Sequence, residues 1–129
     1  MKLAPVAVVS AAFLLASCQP PAIEFEVARH GDQYVATLSQ SDGFLWKRSP
    51  PCIDHIELYE GGDAHVRGRT VWKARYFSSH ASCRRVEKLV LGELPIGFAE
   101  IVPFAAHLKG PHGLYASGAG QGRVIITFD

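Results

Sequence analysis

Histidine is the residue type that gives this chain its largest apparent capacity for chemistry. Six occur in 129 residues: His30, His55, His65, His80, His107 and His112. Imidazole is a common ligand of zinc and copper, and such ligands usually recur at short fixed spacings. The chain has no H-E-x-x-H or H-x-H motif, and a proline between His107 and His112 prevents a shared helical face. We predict scattered surface histidines, no metal site and no cofactor, and keep a periplasmic metal-binding protein as an alternative.

Hydrolytic chemistry has no candidate catalytic group. The G-x-S-x-G motif is absent, and the neighbouring pairs Ser79-His80 and Asp54-His55 would point to opposite sides of an extended chain. The glycine-rich stretch 118–122 is followed by a strand pattern and not by a helix, so it indicates a turn and not a phosphate cradle. We predict no catalytic residue and no enzyme.

The amino-terminal segment has the features of an export signal. Its apolar run, residues 6–16, is shorter than the roughly 20 residues that span a bilayer. The run closes in a tetrapeptide that resembles the lipobox of bacterial lipoprotein precursors: Leu15-Ala16-Ser17-Cys18. The resemblance implies removal of residues 1–17, a diacylglyceryl group on the Cys18 sulfur, and stable anchoring once the new amine is acylated. A conventional signal cleavage that leaves a soluble secreted protein is the alternative.

Two cysteines remain once Cys18 carries the lipid. An odd number of cysteines in an exported protein needs an explanation, which lipidation of Cys18 supplies. Cys52 and Cys83 are then expected to form a disulfide, the default in an oxidising compartment. A redox or metal-binding pair is the alternative, but the C-x-x-C spacing and a nearby histidine in a ligand pattern are both missing.

Charge is unevenly distributed along the chain. Removing the first 17 residues leaves 112, with 12 basic and 12 acidic side chains, a balance that argues against a nucleic-acid partner. Residues 19–63 carry three basic and eight acidic groups, whereas residues 64–88 carry seven basic groups and one acidic group. Four basic residues on predicted strands form a candidate binding surface for anionic lipid or glycan: Lys73, Arg75, Arg84 and Lys88. Alternatively, the basic residues pair across strands with Glu24, Glu26, Glu57 and Glu60.

Alternation of apolar and polar residues predicts an all-β domain. The period of two runs through eight segments separated by turn signals: 23–29, 34–39, 52–60, 70–77, 84–91, 98–102, 113–117 and 123–128. Residues 18–22 are a proline-containing linker, and residues 44–46 are a short edge segment. These strands predict one antiparallel β-sandwich over residues 23–129, with a small closed barrel as the alternative.

Two of these segments have clearly different faces. In segment 52–60, Ile56 and Leu58 face one side, while His55, Glu57 and Tyr59 face the other. In segment 70–77, the pattern places Trp72, Ala74 and Tyr76 inward and Lys73 and Arg75 outward.

The stretch 108–115 carries a second resemblance. Its glycines precede Tyr115, which opens the predicted penultimate strand, and this arrangement resembles the tyrosine-corner region of immunoglobulin-like and fibronectin type III domains. The resemblance implies an immunoglobulin-like form of the sandwich.

These expectations define a functional hypothesis. The chain is predicted to be a lipid-anchored envelope lipoprotein that acts as a non-catalytic binding or structural module. In the lipoprotein family an aspartate after the modified cysteine retains the protein in the inner membrane, so Gln19 implies the outer membrane, facing the periplasm. The expected partners are the membrane, through the lipid, and an envelope protein or glycan. An inhibitor of an envelope-attacking hydrolase such as lysozyme is an alternative that rests on size and location.

Overall fold

Strands make up the regular structure of the described chain. The computed structural model describes residues 20–41, 47–62 and 67–129; the signal segment, Cys18 and the predicted edge segment 44–46 lie outside them. Ten strands occur there: β1 (Ile23–His30), β2 (Gln33–Ser41), β3 (Arg48–Ser49), β4 (Cys52–Glu60), β5 (Thr70–Tyr76), β6 (Arg84–Arg85), β7 (Lys88–Val90), β8 (Phe98–Val102), β9 (Gly110–Gly118) and β10 (Gly120–Phe128). The paired strands are antiparallel, which confirms the predicted all-β class. Among these described residues, no helix is long and apolar enough to cross a bilayer.

The first sheet is built around β2. β1 and β2 form a hairpin in which Ile23 lies opposite Gln40 and His30 lies opposite Gln33. Gly31 provides the left-handed backbone of the turn, with φ of 63°. β2 also pairs with β3 near its end and with β7 near its middle. The hairpin predicted from the period-two pattern is confirmed.

The second sheet has β4 at its centre. Its strand order is β10-β9-β4-β5-β8, and β6 pairs with the first residues of β4. Ile56 and Leu58 are buried on the core side of β4, and Glu57 and Tyr59, which alternate with them, are also buried. Both faces of this strand are therefore covered, although its outer face carries polar side chains.

One apolar core joins the two sheets. Trp72 is fully buried within it and meets the ring of Phe104 edge to face, with the ring centroids 5.5 Å apart. Other members come from both sheets: Ile23, Ala36, Leu38, Ile56, Leu58, Leu89, Leu114 and Ile126. Burial of these side chains is the main favourable term in folding.

Gln40 connects the sheets at the end where the described chain begins. This residue is buried, and its Nε2 donates hydrogen bonds to the carbonyl oxygens of Pro21, at 2.8 Å, and Ala119, at 2.6 Å. Ala119 forms the turn between β9 and β10, so one amide holds the start of β1 against that turn.

The predicted disulfide is present in the structure. Cys52, the first residue of β4, is bonded to Cys83, which precedes β6, and their Cα atoms are 5.3 Å apart. The bridge holds the segment leading into β6 against the central strand of the second sheet.

Segment 84–91 differs from its prediction as one strand. β6 pairs with β4 in the second sheet, whereas β7 pairs with β2 in the first. Val86 lies between them, buried, and its amide donates to the carbonyl of Pro51 at 3.1 Å. The single-strand prediction was wrong because alternating burial does not reveal where a chain crosses from one sheet to another.

Candidate functional site

A buried carboxylate stands on the outer face of β4. Glu57 is only 8% exposed, and its neighbours Ile56 and Leu58 point into the core. The hydroxyl of Thr70 on β5 donates to Glu57 Oε2 at 2.8 Å, and His55 Nε2 lies 3.1 Å from Oε1. Both oxygens of the carboxylate therefore have partners, as a buried charge requires.

The environment of Glu57 keeps it ionised. Burial acts to raise the pKa of Glu57, but the hydrogen bonds from Thr70 and His55 and the positive charge of Arg67 outweigh it, so the pKa lies below its ordinary value. Glu57 is consequently a fixed negative charge at neutral pH.

Arg67 lies between two tyrosine rings above this carboxylate. Its guanidinium carbon is 5.1 Å from the ring centroid of Tyr59 and 5.0 Å from that of Tyr115. Its Nη1 is 3.9 Å from Glu57 Oε2, and the side chain remains 49% exposed. Cation–π attraction and the nearby carboxylate hold the guanidinium in place while leaving part of it accessible.

The backbone beyond β4 places Arg67 at this position. The amide of Glu60 donates to the carbonyl of Arg69 at 2.9 Å, and the amide of Gly68 donates to the carbonyl of Glu60 at 3.0 Å. These bonds extend the β4–β5 ladder beyond Tyr59. Arg67 is thereby brought back over the outer face of the sheet.

Tyr59 fits into space that a glycine leaves on the neighbouring strand. Gly113 lies opposite Tyr59 in the β4–β9 ladder, and a Cβ at Gly113 would overlap the Tyr59 ring. Tyr59 is fully buried, and its hydroxyl has no hydrogen-bond partner in the described part of the chain. The position of the Tyr59 ring, which contacts Arg67, therefore depends on the absence of a side chain at Gly113.

An open cup adjoins the clamped arginine. It measures about 410 Å³ and is lined by Arg67, Tyr115, Gln121, Gly122 and Arg123, a set that we call the Arg67 cup. The Tyr115 hydroxyl donates to Gln121 Oε1 at 2.9 Å. This hydrogen bond engages the amide oxygen of Gln121 and does not involve its NH₂ group. The cup is therefore lined by two guanidinium groups and this amide.

The four basic residues of the predicted surface lie on different parts of the molecule. Lys73 and Arg75 alternate with core residues on β5, and they lie opposite Glu57 and His55, respectively. Arg84 is exposed on β6 of the same sheet, whereas Lys88 is exposed on β7 of the other sheet. The structure thus brings Lys73 and Arg75 beside Glu57 and His55 and separates Lys88 from them.

Three of the four acidic residues expected to pair with those basic residues have other partners. Arg48 Nη2 lies 2.9 Å from Glu24 Oε2, and Arg69 Nε lies 2.7 Å from Glu60 Oε1. Glu57 is paired with Arg67, as described above. Cross-strand charge pairing therefore occurs, but with arginines that the sequence reading did not select.

The histidines of the described chain have separate environments. His30, His80 and His107 are exposed, and buried His112 meets the ring of Phe128 at 5.0 Å; His65 lies outside the described residues. In the described ranges, no three or more His, Cys, Asp or Glu side chains lie close enough to hold a metal ion.

Sequence reading did not identify Arg67, Tyr115 and Gln121 as members of a site. The alternation of His55, Glu57 and Tyr59 on one face of β4 was visible, but the residues that meet this face are determined by strand register. One usable signal was a glutamate placed between the apolar residues Ile56 and Leu58 near the middle of a predicted strand, since a buried charge must be paired.

Comparisons with known proteins do not assign the chain to a family. It has no significant match among protein-family models, curated proteins or solved structures.

Proposed function

We propose that this protein is a lipid-anchored envelope lipoprotein whose domain binds an anionic group in the Arg67 cup without catalysing a reaction. The observation that carries the proposal is the position of Arg67 between Tyr59 and Tyr115. A guanidinium presents five N–H donors in a planar fork that matches carboxylate and phosphate oxygens. Because the rings hold Arg67 in place, binding an anion would order little additional side chain.

The charge around the cup favours an anion. Glu57 offsets part of the Arg67 charge, but Arg123 lines the same cup and the basic residues Lys73 and Arg75 share the outer face of the sheet. Basic side chains on one face attract anionic ligands over distances of about one Debye length, ~8–10 Å at moderate salt. Carboxylated or phosphorylated envelope glycans are ligands of suitable chemistry.

Binding is favoured over catalysis by the state of Glu57. A general acid or base must be free to exchange a proton near the working pH. Both Glu57 oxygens are engaged by His55 and Thr70, and its pKa is lowered. These features suit a residue that positions Arg67 and do not suit a proton shuttle.

The proposal includes a sandwich arrangement of the two sheets. Residues of both sheets share one core, and no ladder pairs β1 with β10 in the described chain, although the two strands lie so close that a Cβ on Gly122 would overlap the Ile23 carbonyl. An open edge of this kind favours a sandwich over a closed barrel. The immunoglobulin-like form has less support, because Tyr115 lies within β9 and its hydroxyl donates to Gln121 across the hairpin.

Location and anchoring follow from the lipobox resemblance. We propose that Cys18 carries the lipid and that the linker 18–22 holds the domain beside the outer membrane, facing the periplasm. Pro20, Pro21 and Ala22 are exposed, which suits a spacer.

Calorimetric titration with a carboxylated oligosaccharide such as trigalacturonate tests the binding proposal. The full chain should bind it, and Arg67→Gln should weaken binding at least about tenfold, since a hydrogen bond to a charged group contributes ~1.5–3 kcal/mol. Arg84→Gln is the matched control because it removes an exposed arginine of β6 that does not line the cup. Equal affinities of the parent chain and Arg67→Gln for trigalacturonate would contradict the proposal. A parent chain that binds neither trigalacturonate nor inorganic phosphate would contradict it as well.

A further inference from the structure

A second cavity lies at one end of the two sheets, away from the Arg67 cup. It measures about 270 Å³ and is bounded by the β1–β2 turn, the loop from Phe104 to Leu108 and the end of β10. Its apolar lining consists mainly of Tyr34, Leu91, Phe104, Leu108 and Phe128. Three of the five are aromatic, and Tyr34 meets Phe128 edge to face with ring centroids 4.8 Å apart.

The rim of this cavity is organised by an ion pair. Arg29 Nη1 is bonded to the Asp129 carboxylate, Arg29 Nε donates to the Gly31 carbonyl at 3.0 Å, and the guanidinium carbon stands 5.6 Å from the Tyr34 ring centroid. Because Arg29 is committed to these contacts, it offers little to an anionic ligand. Asp32 adds a negative charge to the same rim.

The backbone at the rim has one unusual conformation. His107 has φ of 60°, the only positive φ of a non-glycine residue in the described ranges. A left-handed backbone is unfavourable for residues with a Cβ, and such positions concentrate at ligand-binding sites. His107 lines this cavity and places the loop from Phe104 to Leu108 against it.

We propose that this cavity is a binding site for a small uncharged aromatic ring system. An apolar cavity of about 150 Å³ accepts benzene in an engineered protein, so the volume here is sufficient for a two-ring group. Edge and face contacts with Tyr34, Phe104 and Phe128 would favour an aromatic ligand. A polar substituent would remain at the rim near Asp32 and His107.

The site is separate from the proposed anion site. β1 runs from Ile23, beside the β9–β10 turn, to His30, beside the cavity, and eight residues of strand extend roughly 26 Å. Failure of the Arg67 cup to bind anions would therefore leave this inference intact.

Fluorescence titration with N-phenyl-1-naphthylamine tests the inference. This uncharged probe joins a phenyl ring through an NH group to a naphthalene, and the naphthalene is the two-ring group that the cavity would hold. The full chain with Cys18→Ser, handled without detergent, should bind the probe saturably with one site per chain. Leu108→Trp, which fills the cavity, and Ala106→Trp, which narrows its mouth at an exposed position, should each weaken binding at least tenfold. Ile96→Trp adds the same side chain at an exposed turn outside the cavity and should change nothing.

Circular dichroism of each variant separates cavity filling from misfolding. Any binding of the probe to the apolar run of residues 6–16 is common to all variants. The decisive quantity is therefore the difference in probe affinity between the parent and the cavity variants. Equal binding by the parent, Leu108→Trp and a folded Ala106→Trp would overturn the inference. Loss of binding in Ile96→Ser or Phe77→Ser would do so too, because the probe would then occupy exposed apolar surface.

Discussion

Glu57 shows how a single carboxylate can organise a surface. Glu57 is buried on the outer face of β4. It orients His55 on its own strand, Thr70 on β5 and Arg67 in the connection between β4 and β5. Removing a buried charge from such a set leaves its partners without their acceptor. The carboxylate therefore supports both the stability of the sheet and the position of Arg67.

Replacing Glu57 by glutamine should destabilise the fold in a pH-dependent way. At neutral pH we expect a loss of about 1.5–3 kcal/mol in the free energy of unfolding, as for hydrogen bonds to charged groups. Because the folded-state pKa of Glu57 lies below its ordinary value of 4.5, this stabilisation is present above that pH and is lost as pH falls through the folded pKa. Urea unfolding of parent and Glu57→Gln should therefore give curves that converge in acid.

The matched control for this titration is Glu26→Gln, which removes an exposed carboxylate on β1. Its unfolding free energy should follow that of the parent at every pH. A difference between parent and Glu57→Gln that stayed constant from neutral pH into acid would show that the charge of Glu57 does not stabilise the fold.

Gly113 is the second residue on which the position of Arg67 between Tyr59 and Tyr115 depends. Gly113→Ala should lower the free energy of unfolding by about 1–3 kcal/mol, because its Cβ would overlap the fully buried ring of Tyr59. In a chain that already carries Tyr59→Leu, the overlapping ring atoms are gone and the same change should have little effect. Additive losses in this double-mutant cycle, measured by urea unfolding, would exclude the steric explanation.

At the scale of strands, sequence alone predicted much of the fold but little of the site. The alternation in Cys52–Glu60 predicted β4 and its two faces, and the turn at Gly31 predicted the first hairpin, because each signal is local. Strand pairing is not local. The meeting of Tyr59 with Gly113, and of Glu57 with Tyr115, depends on the register of β4 and β9, which are far apart in the chain.

The residues of the predicted basic surface are dispersed for the same reason, because strand pairing is not local. The period-two pattern correctly placed Lys73 and Arg75 on one face of β5 and the buried residues Trp72 and Ala74 on the other face. It could not reveal that the chain leaves one sheet after Arg85 and enters the other at Lys88. Basic residues close together in sequence were therefore distributed over two sheets, while Arg67 and Arg123 met at one cup.

Removing the disulfide tests how much the bridge between β4 and the segment before β6 contributes to stability. Replacing Cys52 and Cys83 together by alanine should lower the free energy of unfolding by about 3–4 kcal/mol, the chain-entropy value for a bridge across 31 residues. Dithiothreitol should lower the stability of the parent by a similar amount and leave the double variant unchanged. If reduction did not alter the parent, the bridge would contribute nothing to stability in solution.

At the scale of the whole molecule, the two proposed sites lie at different distances from the proposed anchor at Cys18. Gln121 lines the Arg67 cup and also lies with Pro20 and Ala22 along a neighbouring depression, so the cup is near the point where the described chain begins. The apolar cavity is at the other end of β1. An anchor at Cys18 would therefore hold the cup close to the membrane surface and direct the cavity away from it.

This orientation depends on the proposed lipid at Cys18, and Cys18→Ser is the direct test. A two-chain lipid anchors a protein stably, because each buried methylene contributes about 0.8 kcal/mol, and serine offers no thiol for the modification. The variant should therefore stay unprocessed or leave the membrane fraction, and in either case lose incorporation of labelled palmitate. Ser17→Ala, which keeps a small residue before the cysteine, should behave as the parent. Cys18→Ser protein that still carried the label and sedimented with membranes would require another attachment, and the proposed orientation of both sites would no longer hold.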